Sequence, residues 1–242
     1  MMTGNLQLDL GGFALDSGDF SIPLEGVTVL FGRSGSGKST LLRAMAGLDK
    51  RTRGDLIVDG DVWQQASQAL PPQNRDIGFV FQDAALFPHL TVRQNLAYGI
   101  QRVPKTSRPA DFNEIVSRIG INDLLDRKVT YLSGGERQRV MLARSLVVAP
   151  KIYFWDEPLA ALDVKHALQV LELARELTQA GATVLMSLHD LRLTMCLDRV
   201  IVLDDGKLCA DGEPEKVLSN ELLQSVFGVK VEKADGWNLH LT

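Results

Sequence analysis

Short apolar runs punctuate the chain at Val27 to Phe31, Ile77 to Phe81, Ile152 to Trp155, Thr183 to Ser187 and Val200 to Leu203. Each is nearly continuous, which is how a strand reads when both of its faces are buried. Between the later runs the apolar spacing lengthens. Val164, Ala167, Leu168, Leu171 and Leu177 recur at helical steps until Gly181 closes the segment, so a helix is predicted there. Strands and helices in alternation predict an α/β fold, a mostly parallel sheet with helices against its faces.

Other parts of the chain depart from that rhythm. Leu6 to Leu10 and Phe20 to Ile22 surround Gly11, Gly12 and Gly18 with no room for a crossover helix, which predicts an N-terminal antiparallel β region. From Thr91 to about Val148 helical signals dominate, interrupted at Pro104, Pro109 and Gly120, so a helical insertion is expected. Val229, Val231 and Asp235-Gly236 followed by Trp237, Leu239 and Leu241 predict a small terminal hairpin. One domain is expected overall: residues 1–90 and 149–242 as the sheet core with its antiparallel region, and residues 91–148 as a helical subdomain.

Composition narrows the classes of function. Lys plus Arg number 26 against 30 Asp plus Glu, for a net charge of −4, which argues against a protein that coats nucleic acid. Hydrophobic residues at 45% and charged residues at 23% are those of a chain that folds in water. Cys196 and Cys209 have no paired-thiol spacing, so a reduced compartment is expected and zinc is not. No signal-like start and no membrane-length apolar run is present, so work at a membrane requires a partner.

The chemistry starts at Gly32-Arg33-Ser34-Gly35-Ser36-Gly37-Lys38-Ser39-Thr40, between the run Val27 to Phe31 and helix-like Ser39 to Ala46. Strand, glycine loop and helix in that order make a phosphate loop. Glycines let several N–H groups turn toward one anion, the helix N-terminus adds its dipole, Lys38 adds a point charge, and the Ser39 hydroxyl can ligate magnesium. A nucleoside triphosphate is the natural guest; a glycine-rich turn without a ligand is the plainer alternative. Ile152 to Trp155 then ends in Asp156-Glu157. By itself that is a strand entering a loop, but beside a phosphate loop Asp156 can hold magnesium and Glu157 can act as general base toward water. Leu132-Ser133-Gly134-Gly135-Glu136 opens the helical-looking Arg137 to Val148, a second anion cradle without a lysine or, taken alone, an N-cap.

These elements occur with Gln82 in Val80-Phe81-Gln82-Asp83, the turn Ala161-Leu162-Asp163 and His189 in Ser187-Leu188-His189-Asp190. In that order, from Val27 to about Gly212, the chain resembles an ATP-binding-cassette ATPase with a P-loop NTPase core, and specifically the nucleotide-binding subunit of a transporter. The resemblance implies that two cassettes close head to tail, each ATP lying between the phosphate loop of one and the signature of the other. It implies that Lys38 and the amides of Ser34 to Thr40 hold the phosphates, that Ser39, Gln82 and Asp156 surround Mg2+, and that Ser133, Gly134 and Gly135 touch the nucleotide of a second copy. Glu157 resembles the base, His189 the γ-phosphate switch, and Asp163 an aspartate that crosses the interface while serving as a plain N-cap. Phe13 is favoured over Phe20 for stacking on adenine, with core packing as the alternative for either. Trp155 is bulkier than the usual aliphatic, and Met186-Ser187-Leu188 replaces the common threonine-containing switch strand.

The segment Phe81 to Val92 resembles that of importers of small anions and metals, most closely the molybdate-type group. The resemblance implies membrane permease subunits, docked where Leu86, Phe87 and Leu90 are expected to be exposed unless they form the insertion's own core, and a periplasmic or extracellular solute-binding protein. It also implies a peripheral place on the cytoplasmic face. Many relatives append a β-rich regulatory domain, which a chain stopping at Thr242 is expected to lack. Sulfate, iron, thiamine and polyamine remain alternative cargoes. A cassette ATPase acting on nucleic acid or ribosomes and a small P-loop kinase are the competing classes.

Overall fold

In this computed structural model, which describes residues 1–83, 85–101 and 110–229, the chain enters through an antiparallel pair, β1 (Met2–Asp9) and β2 (Ala14–Ile22). It crosses to β3 (Val27–Phe31) and α1 (Lys38–Met45), then returns beside β1 as β4 (Arg53–Val58), β5 (Asp61–Gln65) and β6 (Gln68–Ala69). After β7 (Ile77–Val80) come α2 (Val92–Ile100), α3 (Phe112–Ile119) and α4 (Gly134–Leu146). The remaining elements are β8 (Ile152–Trp155), α5 (Val164–Gln179), β9 (Thr183–Leu188), α6 (Leu191–Thr194), β10 (Arg199–Asp204), β11 (Lys207–Gly212), α7 (Pro214–Val217) and α8 (Asn220–Phe227).

Six strands form one sheet in the order β11-β10-β3-β9-β8-β7, parallel except for the β10–β11 pair. Its strands serve two cores at once because successive side chains point to opposite faces. Val27, Val29, Tyr153, Trp155, Val184, Met186, Val200 and Val202 pack on the side of α4 and α5. Leu30, Ile152, Phe154, Leu185, Ile201 and Leu203 pack on the other side with α1 and the five-stranded sheet β2-β1-β4-β5-β6. Burial on both faces explains why these runs read as continuous. Trp155 is accommodated with no exposure, its indole N–H without a partner and its ring 5.7 Å from that of Tyr153.

Strands β4 to β6 and β11 go beyond the elements read from the apolar runs. The β4–β5 and β10–β11 hairpins carry a signal, a two-residue Asp-Gly turn: Asp59-Gly60 has φ of 51° and 88°, and Asp205-Gly206 has 44° and 77°, both left-handed as such hairpins need. Between Thr91 and Leu146 the described residues fold as helices and short 3-10 turns. The hairpin expected past Val229 lies outside the described residues, as do Pro104 and Pro109.

Candidate functional site

Every position of β3 is buried, so the chain leaves the carboxyl edge of the sheet on a fixed heading. Space dictates the glycine that follows: a Cβ on Gly32 would lie 2.3 Å from the Leu203 carbonyl oxygen and 2.6 Å from Ser36 Oγ. Conformation dictates Gly35 and Gly37, whose φ angles are 80° and 105°. Gly37 caps α1 without any side-chain hydrogen bond, which leaves the first-turn amides to an outside acceptor. Lys38 is only 5% exposed, and its Nζ donates to the carbonyls of Gly32 and Arg33, each at 2.9 Å. Burial lowers its pKa, opposed by the charges of Glu157 and Asp156.

Strand order sets the second half of the site. β9 lies between β3 and β8, and its Ser187 joins their ends. Ser187 Oγ donates to Asp156 Oδ1 at 2.9 Å and accepts from the Glu157 amide at 2.8 Å. From the other side Ser39 Oγ donates to the same Oδ1 at 2.8 Å. Asp156 has no exposed surface, and its Oδ2 is buried without a partner. Burial pushes its carboxyl up from the usual aspartate range, with the Ser39 and Ser187 bonds pulling the other way. Glu157 takes a left-handed φ of 50°, a conformation that neighbours must hold. The Ser187 hydroxyl holds its amide, and Gln138 Nε2 donates to its carbonyl at 3.1 Å. Its side chain meets His189, Oε1 to Nε2 at 2.5 Å.

A cleft of about 380 Å³ brings the predicted residues together: Ser34, Gly35, Gly37, Lys38, Ser39 and Thr40 line it with Gln82, Glu157 and His189. Phe13 lines it too, with Leu10; a Cβ on Gly37 would come within 2.8 Å of the Phe13 ring. Phe20 is buried in the core instead. Asp156 sits beneath the cleft, and Gly32, Arg33 and Ser36 shape the loop without lining it. Ser133, Gly134, Gly135 and Asp163 do not reach the cleft. Exposed Ser133 caps α4 in a reciprocal pair with Glu136, accepting from its amide at 3.3 Å while Glu136 Oε2 accepts from the Ser133 amide at 2.7 Å. Asp163 caps α5, accepting from the His166 amide at 2.9 Å.

A phosphate loop, a buried acid and a glutamate–histidine pair thus meet at the carboxyl ends of parallel strands, where such sheets bind ligands. Residues 15–160 match the family model described as ABC transporter. The chain belongs to the ABC transporter family. Its similarity extends to proteins named molybdenum import ATP-binding protein ModC. ModC 1 of Azotobacter vinelandii is 41% identical over 93% of this chain and 64% of that protein, and ModC of Methylococcus capsulatus is 42% identical over 96% and 68%. The chain spans about two thirds of the length of these relatives, and 57% of ModC from Thiobacillus denitrificans, with which it is 46% identical. Among solved structures, an ATP-binding cassette dimer in a post-hydrolysis state with ADP and Pi superposes with a TM-score of 0.76 at 26% identity, covering 88% of this chain and 99% of that one. CbiO1 of Clostridium perfringens, part of the ABC transporter complex cbiONQ, gives 0.72 at 28%, covering 89% of each.

Within this family member a second hollow, about 560 Å³, lies between the start of β7 and the helical region, lined by Phe79, Phe81, Phe87, Tyr98, Arg144 and Val148. The Phe87 and Tyr98 rings are 4.4 Å apart, and Arg144 Nη1 donates to the Ala85 carbonyl at 2.7 Å. For Leu86 the own-core alternative holds, since it is buried in the larger core; Phe87 and Leu90 are half-buried, and of the three only Phe87 lines the hollow. The helical region needs Leu86 for its own packing. The motifs included Ser187 without giving it a role, and they missed Gln138, which with Ser187 fixes Glu157, and the pair Arg139 and His166. A serine inside a buried strand was the one available signal for Ser187; the others carry none.

Proposed function

We propose that this chain binds ATP on its phosphate loop, hydrolyses it, and powers an importer as one of two cassettes closed head to tail, with molybdate as the cargo. The observation that carries this reading is the division of the two anion cradles. One faces Lys38, Asp156, Glu157 and His189 across a single cleft, whereas the other, at Ser133, opens outside it. A second copy turned about a two-fold axis brings each outer cradle to the other's cleft.

Asp156 Oδ2, buried and without a partner, together with the Ser39 hydroxyl and Gln82, offers the hard oxygen atoms that suit Mg2+. Among the described residues no group of three His, Cys, Asp or Glu could cage an ion, in keeping with a metal held by few protein oxygens and by phosphates. Bound there, magnesium neutralises charge on the phosphate oxygens. Lys38 exchanges its two loop carbonyls for phosphate oxygens and keeps its charge buried against them. Glu157 accepts the proton of an attacking water, and His189, already at its carboxylate, fixes which oxygen faces that water. Phe13 offers its ring to the adenine.

The hollow around Phe87 and Tyr98 suits a short amphipathic helix of a membrane permease subunit, its apolar face against the aromatic rings. Among the described residues no helix is long and apolar enough to cross a membrane. On this reading the chain sits peripherally on the cytoplasmic face, a solute-binding protein delivers the cargo outside, and nucleic acid is not a partner. Glu157→Gln is expected to bind ATP as tightly as the parent and to accumulate as an ATP-bound dimer in sedimentation. Lowered nucleotide affinity with no dimer overturns the base assignment, unchanged affinity with no dimer overturns the head-to-tail reading, and co-purification with ribosomes or DNA in place of a permease overturns the transport role. Uptake by the assembled complex that favours sulfate over molybdate overturns the cargo.

A further inference from the structure

Beside the cleft, α4 touches the segment 157–166 at three heights. A Cβ on Gly135 would lie 2.9 Å from the Ala161 carbonyl oxygen, Gln138 reaches the Glu157 carbonyl, and Arg139 Nη1 stands 2.9 Å from His166 Nε2. On its other side His166 Nδ1 is 2.8 Å from Asp163 Oδ1. A guanidinium can only donate. His166 Nε2 is therefore placed to accept, and a proton on Nδ1 points at Asp163. The Asp163 carboxyl is held below the usual aspartate range, first by the His166 amide and then by its ring, so it stays charged as the acceptor at the end of this chain. Arg139, His166 and Asp163 thus join the helix that begins after Ser133 to the cap of α5.

We propose that His166 is a positioning residue that locks α4 to Asp163, so that the Ser133 cradle and Asp163 meet a second copy as one rigid surface. The inference rests on the head-to-tail reading above. Ser133 and Asp163 lie at the N-termini of two different helices, and a few degrees of rotation between α4 and α5 would present one correctly and misplace the other. Helix packing alone permits such sliding; a hydrogen-bonded chain with one allowed direction at each link does not.

The test compares His166→Leu, which fills the space without hydrogen bonding, with His166→Gln, whose amide can donate to Asp163 and accept from Arg139. Each is measured for ATP affinity of the monomer, for kcat, and, in the Glu157→Gln background, for ATP-driven dimerisation. His166→Leu is expected to leave monomer affinity unchanged and to lower kcat and dimer affinity about tenfold, with His166→Gln restoring most of both. Arg139→Leu should match His166→Leu, and the double variant should be no worse than either. Dimerisation untouched by His166→Leu, failure of His166→Gln to rescue, or additive losses in the double variant would overturn the lock. A Glu157→Gln chain that stays monomeric with ATP would instead overturn the dimer reading on which it rests.

Discussion

Replacing Ser187 with alanine removes one hydroxyl and two hydrogen bonds, to the Asp156 carboxylate at 2.9 Å and from the Glu157 amide at 2.8 Å. A hydrogen bond to a charged group contributes about 1.5–3 kcal/mol, and an amide left unpaired costs about 1–3 kcal/mol. Glu157 is half-buried, so water can meet part of the second need, and the lower ends of both ranges sum to about 2.5 kcal/mol. For a chain of this size each kcal/mol moves the melting temperature by about 2–4 °C, so a drop of about 5–10 °C is expected by calorimetry without ligand. Turnover should suffer more than nucleotide binding, because the left-handed backbone of Glu157 loses its anchor while the phosphate loop keeps every contact. Ser187→Thr keeps the hydroxyl on a β-branched side chain suited to a strand and should retain turnover. If Ser187→Ala melted within about 2 °C of the parent, the hydroxyl would not be fastening the two acids and the account of the site would be wrong.

Two further outcomes follow from local geometry. Gly32→Ala drives a Cβ to 2.3 Å from a backbone carbonyl of β10, which cannot yield as a flexible side chain would. It should cost about 1–3 kcal/mol or more, read as a lower urea midpoint, and an unchanged midpoint would refute the close approach. The amide of Ser133, followed by its side chain, lowers the Glu136 pKa. Its contribution to stability is therefore present above the unfolded carboxylate's titration and lost as pH falls through the lowered folded value. Urea midpoints across the acid range should show this loss in the parent and less of it in Glu136→Gln; identical slopes would refute the cap's role.

The parallel strands, the phosphate loop and the caps of α4 and α5 are legible because their causes are local. A run buried on both faces must be continuous in apolar residues, a curled loop must place glycine at left-handed positions such as Gly35 and Gly37, and a helix start is marked by a residue such as Ser133 with Glu136 three positions on. The hairpins at Asp59-Gly60 and Asp205-Gly206 were equally local, and their turn chemistry overrides the weaker apolar pattern of the strands around them. Strand order was not legible. Only the placement of β9 between β3 and β8 makes Ser187 the bridge to Asp156 and Glu157, and only the packing of α4 across the segment 157–166 brings Arg139 to His166. Leu86 shows the same limit from the other direction, since an apolar residue in a loop does not declare whether it faces a partner or its own core. Sequence neighbours settle backbone conformation and capping; contacts between residues distant in the chain depend on which surfaces find each other, and the geometry of the two acids is of that second kind.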